Sequence, residues 1–271
     1  MGDVSKARVS VLSGVILFAL ALSRYLETPV RPLVQTTVLG SPIVIGITAS
    51  TLMLPIVLGI TITGVMTLIR THPHGGIEAA DTTIMSWIVP ALLNVAFAGW
   101  LSRIQNTTAW TAAILGCALL IPLALIAEYR SLDNTRQHAA LQWSQMALAH
   151  LAAVILFTLI YDARIRSILS GTAVLLVTFL LSARLFWAYH KDISRAFQYG
   201  GVVGLILAQL IWALNYWRLS GLQGGLYLLS TFYLLVGLIQ QQLQNQLNQR
   251  TVVEYTVVAL LTLSLTIAAV P

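Results

Sequence analysis

The 271 residues are 58% hydrophobic and only 9% charged, with a net charge of +6. A soluble domain carries about 25% charged residues, so this composition excludes one. No loop gathers more than three basic residues, which excludes a nucleic-acid face and leaves the positive charge to set membrane topology and meet lipid headgroups.

The first apolar run, residues 9–22, follows Lys6 and Arg8 and meets Arg24. It reads either as a signal-peptide core or as a retained first span reaching residue 26, and retention is the expectation. Residues 27–41 form a Pro- and Thr-containing connection. A second span is expected over 42–69, kinked at Pro55, whose missing N–H frees a carbonyl. The loop RTHPHGGIEAADTT leads to a third span at 84–101. Further apolar runs predict spans at 108–127, 140–161, 165–189, 196–216, 222–239 and 252–270, each long enough to cross ~30 Å of hydrocarbon. The expected fold is all-α: one polytopic helical bundle of eight or nine transmembrane helices, with no second domain.

Tryptophan supports these boundaries, because indole prefers apolar packing with a wet N–H. Trp87, Trp100, Trp110, Trp143, Trp187 and Trp217 fall near expected helix ends, and Trp212 reads as deeper. With nine spans, nine basic residues share the N-terminal side and six lie opposite, so the positive-inside rule places the N-terminus in the cytoplasm. Glu128, Arg184 and His72 are counted among the loop and surface charges of that side. The single cysteine, Cys117, sits in an apolar run. It excludes an internal disulfide or multi-thiolate zinc site and reads as a small buried hydrophobe.

Polar groups within the spans are candidates for a functional interior. Asn94, His150 and Gln209 each sit near mid-span and are expected to face the bundle interior, as interhelical hydrogen bonds or as the lining of a solute path. No cofactor is indicated by any motif. A lone intramembrane histidine between small residues, here His150 beside Ala147 and Ala149, is the one place suited to a haem or chlorophyll-type pigment. The 70–83 loop brings His72, His74, Glu78 and Asp81 within ten residues, donor types that suit a zinc-class ion, although their spacing matches no established metal motif. A solvated turn leading into an acidic helix N-terminus explains them equally.

Packing signals are clearer. Gly200, Gly204 and Ala208 form a small-xxx-small face, which lets another helix backbone come close. Ile239, Leu243 and Leu247 continue one stripe into QQQLQNQLNQR, predicting a helix that projects over 240–250 and offers a docking stripe. The segment ALNYWRLSGLQGGLYLLSTFYLLVGLIQQQL, with AEYRSLD earlier, resembles an uncharacterised family of bacterial multi-pass membrane proteins, a domain of unknown function, from about residue 85 onward. The resemblance implies a polytopic helical fold in the bacterial inner membrane and brings no catalytic residues.

No nucleophile elbow, P-loop or intramembrane protease pattern appears. The first expectation is therefore a non-enzymatic membrane organising or docking subunit, whose partners are the bilayer and either membrane proteins or a second copy of the chain. A transporter or channel for a small, mostly uncharged solute is the alternative, and a membrane-embedded enzyme is third. The lack of an ionisable pair at depth argues against ion-coupled transport.

Overall fold

The computed structural model describes residues 3–25, 31–38, 41–47, 49–72, 79–132, 138–164, 167–217 and 219–268. It is a helical bundle: α1 (Asp3–Tyr25), α2 (Ala49–Arg70), α3 (Ala79–Ser86), α4 (Ile88–Leu101), α5 (Thr107–Arg130), α6 (His138–Asp162), α7 (Ser167–His190), α8 (Ile193–Leu214), α9 (Gly221–Leu243) and α10 (Gln249–Ala268). Among the described residues, eight helical segments are long and apolar enough to cross a membrane. One of them joins α3 and α4, and α10 carries a shorter apolar stretch, Val252–Thr262.

An antiparallel hairpin, β1 (Arg31–Val38) and β2 (Ser41–Ile47), joins α1 to α2. The second span therefore starts later than the sequence suggested. The run SPIVIGI is rich in β-branched residues and pairs as a strand, so α2 begins at Ala49 and Pro55 falls in its second turn rather than mid-span. The third span is broken at Trp87. Pro90 has no N–H to give the Ser86 carbonyl, so the helix restarts as α4.

Side-chain caps start the later helices. Asn106 accepts from the Ala109 N–H to open α5, and Asp192 accepts from the Arg195 N–H to open α8. Ser220 and Gln223 form a reciprocal capping box at α9. At the other end of α9 the expected projection fails. The helix stops at Leu243, with Gln244 as its C-cap and Asn245 at φ 54°, a left-handed conformation that asparagine tolerates better than most residues. Ile239 and Leu243 pack against the protein's own core, and Leu247 lies beyond the helix, 41% exposed.

Lipid is as apolar as a leucine side chain, so close backbone packing must hold such helices together. One such contact is the α7–α8 hairpin, turned by Lys191 at φ 53°. A methyl group on Gly200 would stand 3.1 Å from the Phe179 carbonyl oxygen, and one on Gly204 would stand 3.1 Å from that of Leu175. Ala208, half-buried, extends the same face. These small residues leave α7 and α8 with no room to separate their side chains, so the two helices form one arm.

Candidate functional site

Beyond the apolar packing it shares with the core, two sets of polar contacts tie this arm to the rest of the bundle, one at each end. At the end shared with the N-terminus, Glu128 of α5 meets Arg184 of α7, Oε2 to Nη2 at 2.6 Å, with both side chains almost fully enclosed at 2% and 3% exposure. Glu128 lies two residues inside the end of α5. Arg184 lies six residues before the end of α7, ~9 Å along the axis. The guanidinium carbon sits 5.4 Å from the Trp187 ring centroid, and the Lys191 ammonium sits 3.8 Å from the same ring. Cations over an indole face are stabilised by its quadrupole, and here the ring also roofs the ion pair. Gln145 of α6 donates to the Ala127 carbonyl at 3.4 Å. His72, buried, packs its ring edge on Tyr129 with centroids 4.5 Å apart.

Glu128 Oε1, Arg184 Nε and Trp187 Nε1 are buried without a hydrogen-bond partner. Together they leave one acceptor and two donors buried at this end of the bundle without a protein partner. Leaving them unmatched costs about 1–3 kcal/mol each, more where the group is charged.

At the opposite end the ties are of another kind. The Tyr161 hydroxyl lies 3.0 Å from the Leu214 carbonyl and 2.9 Å from that of Trp217. Arg164 stacks over the Tyr161 ring at 4.6 Å and donates to the Trp217 and Leu219 carbonyls. The Trp212 indole N–H donates to the Ser167 carbonyl at 2.7 Å, so Trp212 belongs to the interfacial set and is not the deep tryptophan the sequence implied. The Tyr161 and Arg164 donors cap carbonyls that α8 and its following turn leave open, whereas the Trp212 bond lies within the arm, from α8 to the start of α7. Beside them, Arg103 and Asp162 form an exposed ion pair.

The expected intramembrane trio does not assemble. Asn94 is buried and donates to Thr61 Oγ1 at 3.0 Å, joining α4 to α2. His150 directs Nδ1 to the Met146 carbonyl at 2.8 Å on its own helix. Its Nε2 is buried without a partner, and the rings of Phe232 and Tyr233 stand 5.3 and 5.8 Å away. Gln209 lies on the exposed face of α8, contrary to the interior position expected of it. No hydrogen bond links any two of the three. Of the loop donors considered for a metal, His74 and Glu78 lie outside the described residues, as does the side chain of Asp81, and His72 turns toward Tyr129. Among the described residues no three His, Cys, Asp or Glu side chains converge.

Sequence reasoning missed the Glu128–Arg184 pair by assigning both residues to a surface. A signal was present. In FLLSARLFWAYH, Arg184 has apolar residues on both sides, and five residues separate it from His190, so its charge cannot reach water from a straight helix without a partner.

Known proteins add one further fact. The family described as Protein of unknown function (DUF5656) matches residues 29–269, and the chain belongs to it. No curated protein and no solved structure matches.

Proposed function

We propose that this member of the DUF5656 family passes a small, uncharged polar solute across the membrane. In this reading the α7–α8 arm moves against α5, α6 and α9. The observation that carries it is the buried Glu128–Arg184 pair, whose Oε1 and Nε are unmatched, as is the neighbouring Trp187 Nε1. An ionisable residue enclosed in a membrane bundle costs several kcal/mol and marks a functional position by default. A purely structural pair would use all its hydrogen-bonding atoms, whereas this one keeps an acceptor and a donor unmatched, with the unmatched Trp187 N–H beside them.

The arm has the mechanical character that alternating access uses, a rigid unit rocking against a second one. Its two helices touch backbone to backbone at Gly200 and Gly204, and its polar ties to the bundle lie at opposite ends. Releasing the ion pair while the Tyr161 and Arg164 contacts hold would open the N-terminal side, and the converse would open the other. The docking reading is weaker, because α9 ends at Leu243 and its stripe is largely used internally. The excess of basic residues on the N-terminal side favours placing that side in the cytoplasm, and a bacterial inner membrane fits the same charge distribution.

Flux tests this directly. Proteoliposomes holding the full chain are challenged with a panel of small neutral polar solutes while light scattering follows shrinkage and recovery, with a pH-sensitive dye inside to follow protons. Wild type should speed recovery for at least one solute, and Glu128→Gln should abolish that gain while still eluting as a folded particle. Vesicles with wild-type protein that recover no faster than empty ones would overturn the reading.

A further inference from the structure

The groove between α1 and α2 combines a cation with an apolar channel, and nothing in the Glu128–Arg184 chemistry accounts for it. A cavity of about 650 Å³ lies there, with Val11 and Val15 of α1 facing Ile60 and Gly64 of α2 along its length and Arg8 among its lining at one end. Arg8 is exposed and, among the described residues, takes part in no ion pair or hydrogen bond. Arg70, also exposed, closes α2 at the same end of the bundle. Two threonines on the wall, Thr63 and Thr67, turn their hydroxyls to carbonyls of their own helix at 2.7 and 2.8 Å, so the wall presents hydrocarbon to whatever lies in the groove.

The dimensions fit one leaflet. From Arg8 to Val15 the groove runs seven residues, ~10 Å, and from Leu68 back to Ile60 it runs eight, ~12 Å. Half of a ~30 Å hydrocarbon core is ~15 Å. With Arg8 at headgroup level, the apolar channel would descend from it through most of that half.

We infer that this groove holds an anionic glycerophospholipid of the leaflet on the N-terminal side, with one acyl chain between α1 and α2 and the phosphate on Arg8. Charge complementarity selects the occupant. A second protein helix would need a polar or acidic partner for Arg8 and would have to fit a channel that Leu12 already narrows at Gly64, whereas an acyl chain adapts its shape. The acid nearest Arg8 along α1 is Asp3, five residues earlier at the start of the helix.

Native mass spectrometry of the full chain in mild detergent, titrated with phosphatidylglycerol or phosphatidylcholine, tests the inference. Wild type should retain one phosphatidylglycerol about fivefold more tightly than phosphatidylcholine, the preference expected of one interfacial arginine. Arg8→Gln should erase that preference while leaving a chain bound. Ile60→Trp, which fills the groove, should lose the bound lipid of either kind. If Ile60→Trp fails to fold, Val15→Phe, at an outward-facing position, blocks the same channel. A preference unchanged by Arg8→Gln, or a lipid count unchanged by the groove-filling variant, would overturn the inference. The site lies on α1 and α2, apart from the arm, so its failure would leave the flux experiment untouched.

Discussion

Glu128–Arg184 and Asp162–Arg103 are the same chemical pair placed in two surroundings. The first is enclosed, with exposures of 2% and 3%, and joins α5 to α7. The second is open to solvent, at 50% and 41%, and joins the end of α6 to the turn after α4. In water, attraction between the charges is screened and the cost of desolvation is small. Within the bundle both terms grow, and their difference depends on whether each charge keeps its partner. Location therefore decides what the pair is worth, and the contrast sets the order of the expected effects.

The largest effect follows from breaking the enclosed pair from one side. Glu128→Ala leaves the Arg184 guanidinium buried without a counter-charge and should cost about 3–5 kcal/mol of stability. Replacing both members, Glu128→Leu with Arg184→Met, removes the charge and its desolvation together, and should recover most of that loss. Unfolding of each variant in detergent, by heat or by denaturant titration, reads the difference. A double variant as weak as the single one would mean that packing at these positions, and not charge, carries the effect.

The contrast also explains how far sequence reading reached. Helices are legible where apolar runs are uninterrupted, and the segments from α4 to α9 fall near their expected positions. The errors arise where a local backbone preference is not a matter of hydrophobicity. SPIVIGI is apolar enough for a span but β-branched enough for a strand. Asn245 ends α9 by adopting a left-handed conformation inside a polar run that contains no glycine or proline. The site was harder still. Glu128 stands two residues from Arg130 and Arg184 six from His190, so both look interfacial in one dimension. Only the packing of α6 and of Trp187 around them makes them interior, and that packing joins residues 56 positions apart.

The next effect concerns the rigidity of the arm that the buried pair holds. Gly204→Ile places a branched side chain against the Leu175 carbonyl and the Phe179 backbone, where even a methyl has only 3.1 and 3.5 Å. Overpacking of this kind should cost about 1–3 kcal/mol. The same substitution at Gly201, where a methyl meets nothing within 4 Å, should cost much less. Equal losses at the two glycines would show that helix propensity, and not contact with α7, governs this face.

On the opposite face, Tyr161→Phe keeps the ring under Arg164 and removes only the hydroxyl shared with the Leu214 and Trp217 carbonyls. The expected loss is about 0.5–1.5 kcal/mol, below that of the enclosed ion pair, because Arg164 still covers the Trp217 carbonyl. If the hydroxyl is part of a gate, the variant should also change the rate of any solute flux without changing which solute passes.

The smallest effect tests the open member of the comparison. Arg103→Ala removes one partner of a pair of the same chemistry as Glu128–Arg184, yet it should cost under about 1 kcal/mol. Two features spare the protein. Asp162 remains half exposed, so water replaces the lost guanidinium. Its carboxylate also packs on Gly221, the first residue of α9, where the positive end of a helix dipole favours an anion. Arg103 further donates to the Leu159 carbonyl at 3.2 Å, and water can take that role too at an exposed helix end. The loss should shrink as salt rises from ~0.05 to ~0.5 M, since the Debye length falls well below ~10 Å over that range. The Glu128→Ala loss should barely respond to the same change. Unfolding measured across the salt series for both variants separates the two cases. A salt-independent loss of several kcal/mol for Arg103→Ala would show that exposure is not what distinguishes these ion pairs.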